Sequence, residues 1–302
     1  MPAMPAPSMP GRVRRWLRHP LILLPVKSLV VIAAMLLIDR SLGQQHWPRT
    51  MEVLLLDPIT IVTVIAAFVL CTRVMEARAV SELAPNKALT ETLAGFALGT
   101  LAFAGVIGVL AALGLYRITG RDDWSILAVP LAGAFVTGVF EEILCRGIWF
   151  RVVQDSLGSY WALAISAAFF GCAHLLNPHA TWFAAIAIMI EAGIFLSAAY
   201  MLTRRLWLPI GIHAGWNFTQ GGVFGVAVSG THSEGMLHAT LTGPVWLSGG
   251  EFGAESSVVA VVICGTMGIA LFAYARRLHH VVAPHWRRGP ASAAAAAAAA
   301  AE

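Results

Sequence analysis

Residues 126–150 read ILAVPLAGAFVTGVFEEILCRGIWF, an apolar run whose only charged members are Glu141, Glu142 and Arg146. A membrane-spanning helix needs about 20 mostly apolar residues, so a run of this length predicts a crossing. Charged groups inside a span are energetically costly and therefore indicate a functional site. This one segment predicts both a membrane helix and a place for chemistry.

The rest of the chain extends the membrane prediction. Hydrophobic residues make up 58% of the sequence and charged residues 12%, and the mean hydropathy of +0.74 exceeds that of ordinary soluble domains. We expect an all-α, polytopic bundle of about eight transmembrane helices within residues 21–278. The predicted spans are 21–38, 53–71, 93–115, 126–150, 160–176, 182–202, 206–228 and 258–274.

The Lys and Arg residues predict the orientation of this bundle. Most of the 20 fall before the first predicted span, after the last one, or near alternate connections. Because cytoplasmic loops hold the excess of basic residues, we expect both termini in the cytoplasm. The same loops account for the net charge of +4 without a nucleic-acid partner. The alanine-rich composition favours a bacterial cytoplasmic membrane.

Nothing outside the bundle predicts a second folded domain. Residues 1–20 form a basic segment that we expect to be disordered, and residues 279–302 form a C-terminal tail that is of low complexity from residue 291. No connection is long enough to build a core of its own. Any activity must therefore come from the bundle.

Two adjacent carboxylates in the fourth predicted span differ in their expected roles. Helical spacing places Glu142 and Arg146 on one face, where an ion pair would hold Glu142 ionised. Glu141 is rotated by about 100° around the helix and is therefore the better candidate for a general base. The alternative interpretation is a polar helix end at the cytoplasmic interface.

Imidazole and amide groups follow in later spans. His213 and Asn217 are one helical turn apart, so they present two donors that could stabilise an oxyanion. The alternative is that they form hydrogen bonds between helices. His174 closes the fifth predicted span, where it is either interfacial or catalytic.

These residues form three ordered motifs. Glu141 to Arg146 fit EExxxR, Phe170 to His174 fit FxxxH, and His213 to Asn217 fit HxxxN. Over residues 129–226 the chain resembles the CPBP (Abi) family of intramembrane proteases, which includes type II CAAX prenyl endopeptidases. The resemblance implies a protease core at about 126–228.

Residue roles follow from the same resemblance. It implies that Glu141 activates water together with His174, and that His213 and Asn217 form an oxyanion hole. Glu142 and Arg146 would brace the site, and Phe170 would pack within it.

The sequence leaves two alternatives each for metal dependence and for the role of Glu191. No cofactor is favoured, because no HExxH pair is present and Arg146 already supplies positive charge. A zinc-dependent alternative would draw its ligands from Glu141, Glu142, His174 and His213. Glu191, inside the sixth predicted span, is a possible pocket residue that is either protonated or paired with Lys27.

The sequence thus predicts an intramembrane endopeptidase, a hydrolase of the CAAX type. Its expected partners are the lipid bilayer and a membrane-associated peptide or protein substrate. Two alternatives belong to other functional classes. One is a noncatalytic immunity or peptide-binding protein that uses the same cavity, and the other is a proton-coupled transporter.

Overall fold

The computed structural model describes residues 16–43 and 47–288. Most of the predicted N-terminal segment 1–20 and the low-complexity run from residue 291 lie outside these residues. Within the described ranges, seven helices are long and apolar enough to cross a membrane. They are α1 (Pro20–Leu42), α2 (Arg49–Glu76), α3 (Ser81–Ala112), α4 (Trp124–Leu157), α5 (Ser159–Leu176), α6 (Trp182–Thr203) and α8 (Val258–Arg277).

The predicted seventh span, 206–228, forms a shorter helix than expected. Helix α7 spans Trp207–Asn217 and continues as a wide π-helical turn, Phe218–Val223. It stops near Gly225, whose φ of +61° is a backbone conformation that glycine adopts readily. Together with the seven longer helices, α7 confirms the predicted all-α polytopic membrane bundle.

Successive helices alternate in direction, so the bundle has two distinct ends. One end, here the basic end, holds the α2–α3, α4–α5 and α6–α7 connections. The opposite end holds a two-stranded antiparallel sheet of β1 (Tyr116–Arg121) and β2 (Leu237–Leu241). Arg18 binds the carbonyl of Glu76, and Arg288 binds that of Gln154. The described chain therefore starts and finishes at the basic end.

A buried ion cluster ties α1, α2 and α4 together at the basic end. The Glu76 carboxylate accepts from Lys27, Arg78 and Arg151. Lys27 also donates to Thr72 at 2.9 Å. The suggested pairing of Lys27 with Glu191 is therefore wrong, because Lys27 lies near the basic end and is engaged by α2.

Glycines bring α3 and α7 into direct backbone contact. A methyl group on Gly99 would lie 2.0 Å from the Ile212 carbonyl oxygen, and one on Gly215 would lie 2.2 Å from that of Phe96. Small residues allow membrane helices to approach this closely. Residues two positions apart point to roughly opposite sides of a helix, so Gly215 faces α3 while His213 and Asn217 face away from it.

Tyr116 fastens the sheet to the end of α7. Its hydroxyl donates to the Phe224 carbonyl at 2.9 Å, and its ring meets the Phe224 ring edge to face at 5.9 Å. Burial raises the pKa of Tyr116 to about 12.

We expect Tyr116→Phe to lower the free energy of unfolding by about 0.5–1.5 kcal/mol, because it removes one buried hydrogen bond. Denaturation in mixed micelles measures this change. The raised pKa means that the Tyr116 contribution is complete below about pH 10 and is lost as the pH rises toward 12. Equal stability of the two proteins near neutral pH would contradict the assignment.

Candidate active site

The centre of the site is a buried ion pair on α4. Glu142 and Arg146 have no solvent exposure, and Arg146 Nη1 donates to Glu142 Oε1 at 2.8 Å. The helix widens into a π-helical segment, Ile143–Phe150, directly after Glu142. Such wide turns occur frequently at functional sites.

A second wide turn on α6 receives the other side of the guanidinium. This wide turn is the π-helical segment Met189–Ile194. Arg146 Nη2 donates to Ala192 O at 2.9 Å and to Gly193 O at 3.1 Å. The Arg146 guanidinium also lies 4.8 Å from the centre of the Phe170 ring. Arg146 therefore lies inside the bundle and links α4 to α5 and α6.

His213 lies between the two glutamates. Its Nδ1 is 2.9 Å from Glu142 Oε1, and its Nε2 is 3.8 Å from Glu141 Oε2. Glu142 Oε1, which also accepts from Arg146, accepts a hydrogen bond from the ring, so Nδ1 carries the proton. Each ring nitrogen of His213 therefore faces a glutamate carboxylate.

The adjacent glutamates have different surroundings. The Glu142 side chain is fully buried, whereas the Glu141 side chain is 25% exposed. The 3.8 Å contact with His213 is longer than a hydrogen bond, so this contact leaves the Glu141 carboxylate available to a water molecule.

His174 is fixed by its own helix. Its Nδ1 is 2.8 Å from the Phe170 carbonyl oxygen. A carbonyl oxygen only accepts, so Nδ1 carries the proton and Nε2 is the ring nitrogen left to react. The Phe170 ring lies between the two imidazoles, with its centre 4.7 Å from that of His174 and 6.2 Å from that of His213.

A small cavity lies between α5, α6 and α7. Its walls include the predicted site residues Phe170, His174, Glu191, His213 and Asn217. Apolar side chains, among them Phe195, Ile212 and Trp216, form much of the remaining wall. Apolar walls combined with convergent polar groups are typical of a ligand site.

Three features of the site have no counterpart in the sequence motifs. The carbonyls of Ala192 and Gly193 bind Arg146, and a glycine inside the apolar sixth span is their only signal. Glu255 and Ser229 line the cavity from the 229–257 connection. Glu255 stands shortly before the helix-capping Ser257, so by sequence it is indistinguishable from a solvated residue at a helix start.

The proposed zinc ligands do not fit a metal centre. Among residues 16–43 and 47–288, no three His, Cys, Asp or Glu side chains form a group that could hold a metal ion. The Glu142 oxygen nearest to His213 is already bound to Arg146 and to Nδ1. That oxygen is therefore already occupied by protein contacts.

Comparison with known proteins gave one family match. The family model described as type II CAAX prenyl endopeptidase Rce1-like matches residues 123–219. That range contains all three motifs and most of the cavity wall. Neither a curated protein nor a solved structure matched the chain.

Proposed function

Because the chain belongs, over residues 123–219, to the Rce1-like family of CAAX-type intramembrane endopeptidases, we propose that it hydrolyses a peptide bond by a glutamate-activated water. The protein is an integral membrane hydrolase that acts on a membrane-associated protein. The observation that best supports the mechanism is the position of His213 between Glu142 and Glu141.

Glu141 is the proposed base. Its carboxylate accepts a proton from water, while Nε2 of His174 orients the water toward the scissile carbonyl carbon. The new carbon–oxygen bond moves the carbonyl electron pair onto oxygen. Donors placed where that negative charge develops accelerate such reactions.

His213 and Asn217 are the proposed oxyanion donors. A protonated His213 ring held through Nδ1 by Glu142 presents Nε2–H, and charge-assisted donors form the stronger hydrogen bonds. The Asn217 amide lines the same cavity. Arg146 acts through Glu142, because it fixes the carboxylate that orients His213.

The substrate class and location complete the proposal. We place the protease core at residues 126–228 and the basic end of the bundle in the cytoplasm of a bacterial cell. The family match favours a membrane-associated peptide or protein as the substrate.

The test compares protein termini in membranes that contain either the native protein or Glu141→Gln. This substitution removes the base and nearly preserves side-chain shape. We expect membranes with the native protein to contain specific cleaved protein termini that are missing from membranes with the variant. Identical termini in both membranes would contradict a protease. Retained biological protection by Glu141→Gln would indicate a peptide-binding protein, and loss of solute flux would indicate a transporter.

We expect cleavage to continue without added or bound metal. Purified protein treated with EDTA and 1,10-phenanthroline should keep its rate within about twofold, because Arg146 already occupies the Glu142 carboxylate. The measurement is cleavage of the peptide found by the terminus comparison. Loss of the rate on chelation and its recovery with zinc would establish the metal-dependent alternative.

A further inference from the structure

A separate cavity of about 390 Å³, here the basic-end cavity, lies between the start of α5 and the segment that follows α8. Its wall contains Tyr160 and Trp161 from α5, and Trp286 and Arg287 from the later segment. Apolar residues form much of the rest, among them Leu157, Val281 and Pro284. The cavity therefore combines aromatic rings, apolar surface and one positive charge.

Backbone contacts hold the two sides of this cavity together. Ser159 N donates to Val282 O at 2.9 Å, and Val282 N donates to Ser159 Oγ at 2.8 Å. Gly158 has a φ of +82°, and a methyl group on it would lie 2.7 Å from Pro284 N. Only glycine adopts this conformation readily and permits this close an approach. The segment after α8 is thus fixed against the α4–α5 connection.

Four hydrogen-bond donors in the wall donate to no group in the part of the chain that the structure describes. They are the Tyr160 hydroxyl, the indole N–H groups of Trp161 and Trp286, and the Arg287 guanidinium. The three aromatic side chains are each more than half exposed. No Asp or Glu is among the residues that line the cavity. The available groups therefore favour a ligand that accepts hydrogen bonds and carries negative charge.

The surroundings of the basic-end cavity are also positive. Residues 256–288 contain four Arg and no Asp or Glu. Asp155, the acid that precedes the α4–α5 connection, is paired with Arg151 at 2.8 Å. An anion that approaches this end of the bundle is therefore attracted and meets little competing negative charge.

The position of the cavity indicates a phospholipid as the source of that anion. Tyr160 and Trp161 stand at the start of a membrane-spanning helix, and such aromatic residues mark the membrane–water interface. The Tyr160 ring lies 5.7 Å from the ring of Phe272, so α5 and α8 are neighbours beside the cavity. Ile269, about one turn before Phe272 on the same face of α8, is 69% exposed. Apolar surface for acyl chains thus continues from the cavity into the bilayer region.

We propose that the basic-end cavity binds the headgroup of an anionic phospholipid, whose acyl chains lie against α5 and α8. Arg287 pairs with the phosphate, and the donors of Tyr160, Trp161 and Trp286 bind its other oxygens. Basic pockets between membrane helices bind anionic headgroups in this manner. Because the wall has no carboxylate to hold an ammonium group, the site prefers an anionic headgroup to a zwitterionic one. This inference is independent of the proposed catalytic activity.

The test is a lipid titration of the purified full chain in detergent, read out by native mass spectrometry. Dioleoylphosphatidylglycerol is the anionic probe and dioleoylphosphatidylcholine is the zwitterionic one. We expect Arg287→Gln to weaken phosphatidylglycerol binding about fivefold, the usual effect of one basic residue near anionic lipid. Trp286→Phe removes an N–H donor but keeps a ring, and it should also weaken this binding. Neither change should alter phosphatidylcholine binding.

Two further variants separate a local site from general attraction. Arg73→Gln removes the same charge from an exposed position at the basic end, outside the cavity wall, and should bind phosphatidylglycerol as the native protein does. Arg287→Lys keeps the charge and should retain most of the affinity. Equal weakening by Arg287→Gln and Arg73→Gln, or equal native affinity for the two lipids, would overturn the inference. Displacement of phosphatidylglycerol by equimolar inorganic phosphate would identify a soluble-phosphate site and would also overturn it.

Discussion

Glu141→Gln is expected to lower kcat by about 10²- to 10⁴-fold, the usual contribution of general acid–base catalysis, while the fold stays intact. Glu141 is partly exposed and makes only a long contact with His213. An amide of the same shape therefore breaks no short hydrogen bond to that ring, but it takes no proton from water. Turnover of the identified peptide and the free energy of unfolding in mixed micelles measure the two effects.

The neighbouring Glu142→Gln is the matched control. Glu142 Oε1 binds both Arg146 and His213, and its other oxygen is buried without a partner in the described residues. Removal of this charge leaves the buried guanidinium uncompensated, which costs about 3–5 kcal/mol in comparable cases. We expect Glu142→Gln to lower both stability and turnover. A stable, active Glu141→Gln protein would contradict the assignment of the base.

Gly99→Ala is expected to reduce both stability and turnover, although Gly99 itself is not part of the cavity wall. The added methyl group would meet the Ile212 carbonyl oxygen at 2.0 Å and the Trp216 nitrogen at 2.8 Å, both on the α7 backbone. Helices α3 and α7 must then separate. Overpacking of this kind costs about 1–3 kcal/mol.

The expected loss of turnover arises because the site residues of α7 lie on the face opposite to its contact with Gly99. His213 and Asn217 move with the helix that Gly99 displaces, and a misplacement of about 1 Å can cost 10²-fold in rate. Gly108→Ala is the control, because it lies on the same helix and its added methyl group meets nothing within 4 Å. We expect native turnover for Gly108→Ala. Equal effects of the two substitutions would show that the α3–α7 contact does not position the site.

The sequence predicted the membrane bundle because a span needs only length and apolar composition, which are local properties. It also predicted the Glu142–Arg146 pairing, since residues four apart on one helix are neighbours whatever surrounds them. The family match confirms the resemblance. That resemblance was visible in the sequence because each motif is short and lies within a single helix.

Contacts between helices were not predictable in this way. The sequence left Lys27 free to pair with Glu191, whereas the packing of α1 on α2 gives it Glu76. The position of His213 between two glutamates depends on how α4 and α7 meet.

The sequence by itself predicted the class of fold, most of the membrane helices and the candidate reactive groups. Only the tertiary structure decided which groups meet, and it added Glu255 and the Ala192 and Gly193 carbonyls to the site. The physical reason is that hydropathy and helical period act along one helix, whereas a site is defined by the approach of several. That approach depends on backbone contacts such as Gly99 with Ile212 and on the wide turn of α6, whose carbonyl oxygens accept hydrogen bonds from Arg146.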